Sequence, residues 1–344
     1  MKKIRFIMNP ISGTSDKDGI PKMIDAKLDH EQFEYEIITT NHAGHASELA
    51  TEAKDSHVDI VVAVGGDGTI NEVARAIVHS DTALGIIPSG SGNGLARHML
   101  IPMSVKKSIE IINKCVIHDF DYGIINGYPF FCTCGMGFDA YVSQKFAECG
   151  KRGPITYVQK VLEEGLKYKP ETYEITTENG VSKYKAFLIS CANASQYGNN
   201  AFIAPQASMS DGLMNVIIME PFDIIEAPQI SIDMFNKTLD KNSKIKTFTS
   251  KKLHIHRSKP GVIHYDGDPV MTGRDVDIEL VEKGIKIIIN PDADKSQRQP
   301  NAIQSAAAEL FNGGHIDAKQ TKHLCGIKNN AGGEKSDNEQ PLYY

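Results

Sequence analysis

Val61-Val62-Ala63-Val64-Gly65-Gly66-Asp67-Gly68-Thr69-Ile70-Asn71-Glu72-Val73 decides how the rest of the chain is read. The apolar run that ends at Val64 has the composition of a strand buried on both faces, and it stops at Gly65. Beyond the glycines, Ile70, Val73, Ala74 and Ile77 recur at helical spacing. Gly65, Gly66 and Gly68 let the backbone turn tightly and bring its N–H groups against an anion, while Thr69 and the first free amides of the helix add donors at its positive end. The stretch therefore predicts a strand, a phosphate-binding turn and a helix. An ordinary strand-to-helix turn with Asp67 as N-cap fits the same residues, so the neighbouring sequence has to decide.

A second strand, Ala83 to Ile87, runs into Pro88-Ser89-Gly90-Ser91-Gly92-Asn93-Gly94, and a helical pattern follows from Leu95. Two glycine-rich turns thus leave successive strands, as at the carboxyl edge of an open parallel sheet, where ligands meet helix N-termini. The dinucleotide fingerprint is excluded because Leu95 stands where its third glycine or alanine belongs. The Walker pattern is excluded too, since Gly150-Lys151 is followed by Arg152. His256-Arg257-Ser258 likewise breaks the protein-kinase catalytic pattern.

Asn9-Pro10-Ile11-Ser12-Gly13 after the first strand, Thr40 with Gly44-His45-Ala46, Gly65 to Val73, and Pro88 to Ala96 together resemble the diacylglycerol kinase catalytic domain. More narrowly they are similar to the bacterial lipid kinases grouped with sphingosine kinases. The resemblance extends from about Lys3 to about Pro291. It implies an α/β fold: an N-terminal three-layer, parallel-sheet nucleotide-binding domain laid out as in NAD kinase and phosphofructokinase, followed by a mostly antiparallel β-sandwich. It also implies ATP and Mg²⁺ as cofactors and a lipid acceptor met at the membrane surface. By this likeness Asn9, Pro10, Ser12, Gly13 and Thr40 contact ATP, as do Gly65, Gly66, Asp67, Gly68, Thr69, Asn71 and Glu72. Ser91, Gly92 and Asn93 complete that set. His45 is structural.

The rest of the composition agrees. At 344 residues the chain exceeds a usual single core. From Cys115 onward, short β-rich runs separated by Gly, Asn and Asp replace the strand–helix alternation. The boundary is placed near residues 121–123, giving a nucleotide domain over 1–122, completed by a segment near 282–291, and a β-rich lipid-substrate domain over 123–281. Residues 292–344, rich in Gln, Asn, Lys, Asp and Gly, read as a flexible tail. Helices are expected over 155–168 and 224–237, and the runs 128–134, 184–192, 276–281 and 285–289 each read as one strand. A formal net charge of −6 argues against a nucleic-acid partner. Six cysteines without C-x-x-C spacing read as reduced thiols, which favours the cytoplasm. No apolar run is long enough to span a bilayer, so a lipid substrate implies peripheral membrane contact. A homodimer is compatible with the sequence.

Three later segments carry chemistry. In Gly135-Met136-Gly137-Phe138-Asp139 glycines again precede an acid, and a β-turn with Asp139 capping the next helix explains it as well as a lipid-facing role; Val142, Phe146 and Tyr157 could line an acyl pocket or pack the core. Ser208-Met209-Ser210-Asp211-Gly212-Leu213 resembles the family segment that holds Mg²⁺, which implies the Asp211 side chain and the carbonyls of Ser208 and Leu213 as ligands. Asp-Gly is also a common hairpin turn. In His264-Tyr265-Asp266-Gly267-Asp268, an extended backbone points Asp266 and Asp268 to one face. The family pattern here is Asp-Gly-Glu, and its third position accepts the proton; Asp268 is one methylene shorter. Whether Asp268 or Asp266 is the base stays open, with Asp67 expected to orient Mg²⁺, its water or the acceptor hydroxyl. The reading is an ATP- and Mg²⁺-dependent kinase of a diacylglycerol-like or sphingoid lipid. A catalytically silent nucleotide-binding regulator, or a kinase of the same fold acting on NAD or a sugar, are the alternatives.

Overall fold

The structure, a computed structural model, describes residues 1–11, 19–149, 165 and 168–293. Strands β1 (Lys2–Met8), β2 (Phe33–Thr39), β3 (Ile60–Gly65) and β4 (Ala83–Pro88) are parallel, in the order β2-β1-β3-β4. Period-two alternation sorts their side chains into two cores. Ile60, Val62 and Val64 pack with Ile20 and Ile24 of α1 (Gly19–Lys27) and with Ile109 and Ile112 of α5 (Val105–Lys114). Val61 and Ala63 pack with Leu49 and Ala50 of α2 (His45–Asp55) and with Ile70, Val73 and Ile77 of α3 (Asp67–Ile77). Helices on both faces explain why β3 is apolar throughout. The strand order reverses beside β1, so the carboxyl ends of β1 and β3 flank a crevice of the kind in which α/β sheets bind ligands.

A long antiparallel ribbon continues this sheet. Strand β5 (Ile117–Ile125) pairs with β16 (Asp275–Ile288), whose register shifts between Val281 and Ile285, where Lys283 has φ +51°. After the shift Ile287 pairs in parallel with Leu84 of β4; before it, β16 pairs with β13 (Lys252–Arg257), and β8 (Glu171–Thr177) and β9 (Gly180–Ala186) follow. A second sheet is antiparallel throughout: β12 (Ile245–Ser250), β11 (Met214–Met219), β10 (Leu188–Ala192), β7 (Thr133–Gly137), β14 (Gly261–Tyr265) and β15 (Asp268–Thr272), in that order. Tyr173, Ile255 and Ile278 from the first sheet meet Met136, Ile189, Val216 and Ile263 from the second, closing a sandwich core.

The α/β class and the antiparallel sandwich are as the sequence implies. Several elements differ in detail. The run 128–134 is two strands in different sheets, β6 (Tyr128–Phe130) beside β5 and then β7, with Phe131 and Cys132 making the step. The run 184–192 likewise changes sheets at Phe187, between β9 and β10. Both inner faces line one core, so an apolar run carries no mark of where the chain crosses. Conversely, 276–281 and 285–288 belong to the single strand β16, which ends one residue short of the expected run. The expected helix at 224 opens as a 3₁₀ turn, Ile224–Glu226, closed by a capping box between Asp223 and Glu226, and continues as Ala227–Asn236. Cys132, Cys134 and Cys191 are free and buried, and Cys115 is free and half-buried. The expected helix at 155–168, with Tyr157, and the tail patch lie largely or wholly outside the described residues, as do the Phe146 side chain, Ser12 and Gly13.

Candidate active site

The turns after β1, β3 and β4 are tied to one another. Ser89 N–H donates to the Gly65 carbonyl at 2.7 Å, and the Asn9 side-chain amide donates to Thr69 Oγ1 at 3.1 Å. Gly66 and Gly90 lie back to back: a Cβ on Gly90 would stand 2.4 Å from the Gly66 Cα. Only glycine permits that approach, which sets the two glycine-rich turns side by side above the crevice. Asn93 adopts a left-handed conformation, φ +54°, and its side chain bridges both the N–H and the carbonyl of Gly90. Ser91 is exposed beside it. The second turn, with Ile20, Met23, Met103 and Arg97, lines a cavity of about 420 Å³.

Three of the residues expected at the nucleotide are placed less directly. Thr40 is buried at the end of β2, its N–H donating to the Met8 carbonyl. Asn71 is buried within α3. Glu72 turns away from the cradle. Its carboxylate accepts the N–H groups of Gly44 and Ala46, each at 3.2 Å, and so caps α2.

Asp67, at the first position of α3, reaches across to the second turn. Its two oxygens accept the N–H groups of Asn93 at 2.8 Å and Gly94 at 2.6 Å. Burial pushes its carboxyl up to about 6; the Gly94 and Asn93 amides oppose that, and the charge of Asp266 adds to it. The guanidinium of Arg97, on α4 (Gly94–His98), donates through Nε to the Gly92 carbonyl at 3.1 Å, and burial lowers its proton affinity against the pull of Asp67. Arg97 was not singled out in the sequence.

Asp266 and Asp268 part company. Asp266 and Gly267 have φ +51° and +91°, forming a two-residue turn between β14 and β15 in place of the extended segment expected from sequence. The Asp266 carboxylate accepts three N–H groups, from Phe131 and Cys132 at 2.7 Å and from Thr133 at 2.9 Å, at the step where the chain changes sheets. Burial raises its proton affinity, and those amides and Arg75 counter the rise. Asp268 starts β15 and is exposed, with Oδ2 3.2 Å from Nη2 of Arg75 on α3. Behind the turn, buried His264 accepts the Gly267 N–H at Nδ1, 3.3 Å, and its Nε2 is 2.9 Å from Asp139, which also accepts the Tyr197 hydroxyl at 2.8 Å. Burial opposes charging of His264, but Asp139, Asp266 and Asp268 outweigh it and raise its proton affinity. The hairpin acids and the glycine turns therefore meet along one helix: Asp67 begins α3, and Arg75 near its end holds Asp268.

Ser208, Asp211 and Leu213 form a separate turn. Gly212 has φ +72°, and Asp211 Oδ1 accepts the Leu213 N–H at 3.1 Å. Buried Asp121 fixes the turn by accepting the Gly212 N–H at 2.9 Å, while its other oxygen takes the Lys283 N–H at 2.8 Å. An exposed carboxylate with backbone carbonyls is an oxygen-only donor set that suits a hydrated Mg²⁺. Among the described residues, no three His, Cys, Asp or Glu side chains gather as a metal site.

Comparison with known proteins follows this architecture. A crystal structure of a putative diacylglycerol kinase from Bacillus anthracis superimposes with a TM-score of 0.68 at 22% identity, covering 84% of this chain and 98% of that one. The family model for the diacylglycerol kinase catalytic domain matches residues 3–125, and that for the YegS C-terminal NAD kinase beta sandwich-like domain matches residues 132–289. A diacylglycerol kinase of Bacillus subtilis is 26% identical over 269 residues, 74% of this chain and 89% of the relative. A probable lipid kinase YegS of Escherichia fergusonii is 27% identical over 272 residues, 77% of this chain and 89% of the relative. Fold and matches together define a kinase of the lipid class. The chain belongs to the diacylglycerol kinase catalytic-domain family, with the YegS-type domain as its second part.

Proposed function

We propose that the chain transfers the γ-phosphoryl group of ATP to the hydroxyl of a diacylglycerol-like or sphingoid lipid. The observation that carries this reading is the gathering of the glycine turns and the Asp268 hairpin on α3. Main-chain amides of Gly66 to Thr69 and of the second turn take the phosphates, with Arg97 beside them. The acceptor hydroxyl oxygen bonds to the γ-phosphorus as the bond to ADP breaks, and the hydroxyl proton passes to Asp268. Asp266, with three amides on its carboxylate, shapes the turn instead of taking the proton. Asp67 orients the phosphates by bracing the second turn. Phosphoryl transfer needs chiefly positioning and charge neutralisation, which these groups supply. Mg²⁺, when bound by Asp211 and the carbonyls of Ser208 and Leu213, adds positive charge. We take the lipid to be met from the bilayer surface; among the described residues no helix is long and apolar enough to cross a membrane.

Incubation with radiolabelled ATP, Mg²⁺ and mixed micelles of diacylglycerol, monoacylglycerol, sphinganine or ceramide tests the proposal. Label in one lipid phosphate is expected. Label only in NAD or a sugar phosphate, or nucleotide binding without transfer to any acceptor, would contradict it.

A further inference from the structure

Arg75 occupies the third turn of the helix that begins with the phosphate cradle, and nothing in its sequence context sets it apart from a basic residue placed to suit the helix dipole. Its surroundings do. The side chain is 20% exposed, and the guanidinium carbon lies 4.5 Å from the centroid of the Tyr265 ring. That ring stacks on Tyr128 at 4.8 Å and 12°. A cation held over an aromatic face in a partly dry setting is attracted by the ring's π electrons and has little rotational freedom. Nη2 donates to Oδ2 of Asp268 at 3.2 Å, while Nε is buried with no hydrogen-bond partner. Nε and Nη2 share one edge of the guanidinium, the edge that pairs with both oxygens of a carboxylate or phosphoryl group. Asp268 fills half of it, and a buried donor left unpaired is a cost that some acceptor normally relieves.

An exposed ion pair contributes little and would need no further account. This one differs in what it joins. Helix α3 presents Asp67 at its first residue and Arg75 two turns on, roughly 12 Å along the axis. The hairpin that carries Asp268 belongs to the antiparallel half of the molecule. From this we infer that Arg75 is a positioning residue: its stacked guanidinium holds the Asp268 carboxylate against the phosphate-cradle helix, so that the proton acceptor and the cradle keep a fixed spacing. The inference rests on the reading of Asp268 as that acceptor. A misplacement of about 1 Å at such a group can cost on the order of 100-fold in rate.

The test compares Arg75→Ala, Arg75→Lys and Asp268→Ala in lipid phosphorylation, with ATP affinity measured on each. Arg75→Ala is expected to lower kcat about 30- to 100-fold while KM for ATP stays within about twofold, and added guanidinium ion should restore a good part of kcat. Arg75→Lys, which keeps the charge without the planar fork, should fall between. If Asp268→Ala is inactive but Arg75→Ala matches the unmodified enzyme, the positioning role is overturned and the acceptor assignment stands. Full activity of Asp268→Ala overturns both. Loss of activity in Arg75→Ala without guanidinium rescue, or with ATP affinity lost in parallel, assigns Arg75 to general stability and also overturns the role. Should Arg75→Ala not fold, Arg75→Lys decides: unchanged kcat contradicts the inference, and a selective fall in kcat supports it.

Discussion

Asp266 and Asp268 are two residues apart and meet opposite surroundings, one wrapped in three backbone amides and the other exposed beside a guanidinium. The sequence shows the pair but not the difference, because the partners of Asp266 come from positions 131–133 and Arg75 lies 193 residues from Asp268. The acids at 67, 266 and 268 are legible from their glycine settings. Arg75, Arg97, Asp121 and the His264–Asp139 contact are not, since each is set by long-range packing. Asp67 offers a direct check. Its folded-state carboxyl is raised to about 6, so it contributes stability that is fully present below about pH 4 and lost as pH rises through 6. The unfolding free energy of the unmodified protein, measured in urea against that of Asp67→Asn, should therefore fall by up to about 3 kcal/mol between pH 4 and 7. A difference that stays constant across this range would show that folding does not raise the proton affinity of this carboxyl.

Elements are read well from sequence where their period is simple. Strand β3 and helix α3 follow from an unbroken apolar run and an i, i+3, i+4 stripe, because helices cover both faces of the parallel sheet. The antiparallel half is harder, as the crossings at Phe131-Cys132 and at Phe187 lie inside uniform apolar runs. The paired turns make the sharpest prediction at this scale. In Gly90→Ala the new Cβ would stand 2.4 Å from the Gly66 Cα, backbone against backbone, and the turns must separate. Overpacking of this kind costs about 1–3 kcal/mol. At Gly68 a Cβ would meet nothing within 4 Å. Gly68→Ala should thus keep or slightly raise thermal stability, by up to about 1 kcal/mol, yet weaken ATP binding by placing a methyl where phosphate must approach. Calorimetric unfolding and nucleotide titration of both variants separate the two effects. Unimpaired ATP affinity in Gly68→Ala would count against the cradle.

At the scale of the whole described molecule, one ribbon joins the parallel and antiparallel parts of the first sheet. Strand β16 runs beside β13 in the sandwich, shifts register at 281–285, and ends against β4 of the parallel sheet. Contacts between the halves gather where function is proposed: the loop at 193–200 packs on the second glycine turn, with Asn199 N–H donating to the Gly92 carbonyl at 3.0 Å, and Arg75 reaches the Asp268 hairpin. Under the proposed function, the hydrogen-bond donors to phosphate would come from one half and the proton acceptor from the other. The most direct test is a crystal structure with a non-hydrolysable ATP analogue and a short-chain diacylglycerol. The account predicts the γ-phosphate over the amides of Gly66 to Thr69, with the lipid hydroxyl between it and Asp268. A nucleotide bound elsewhere, or a lipid hydroxyl on a surface that Asp268 does not reach, would contradict it.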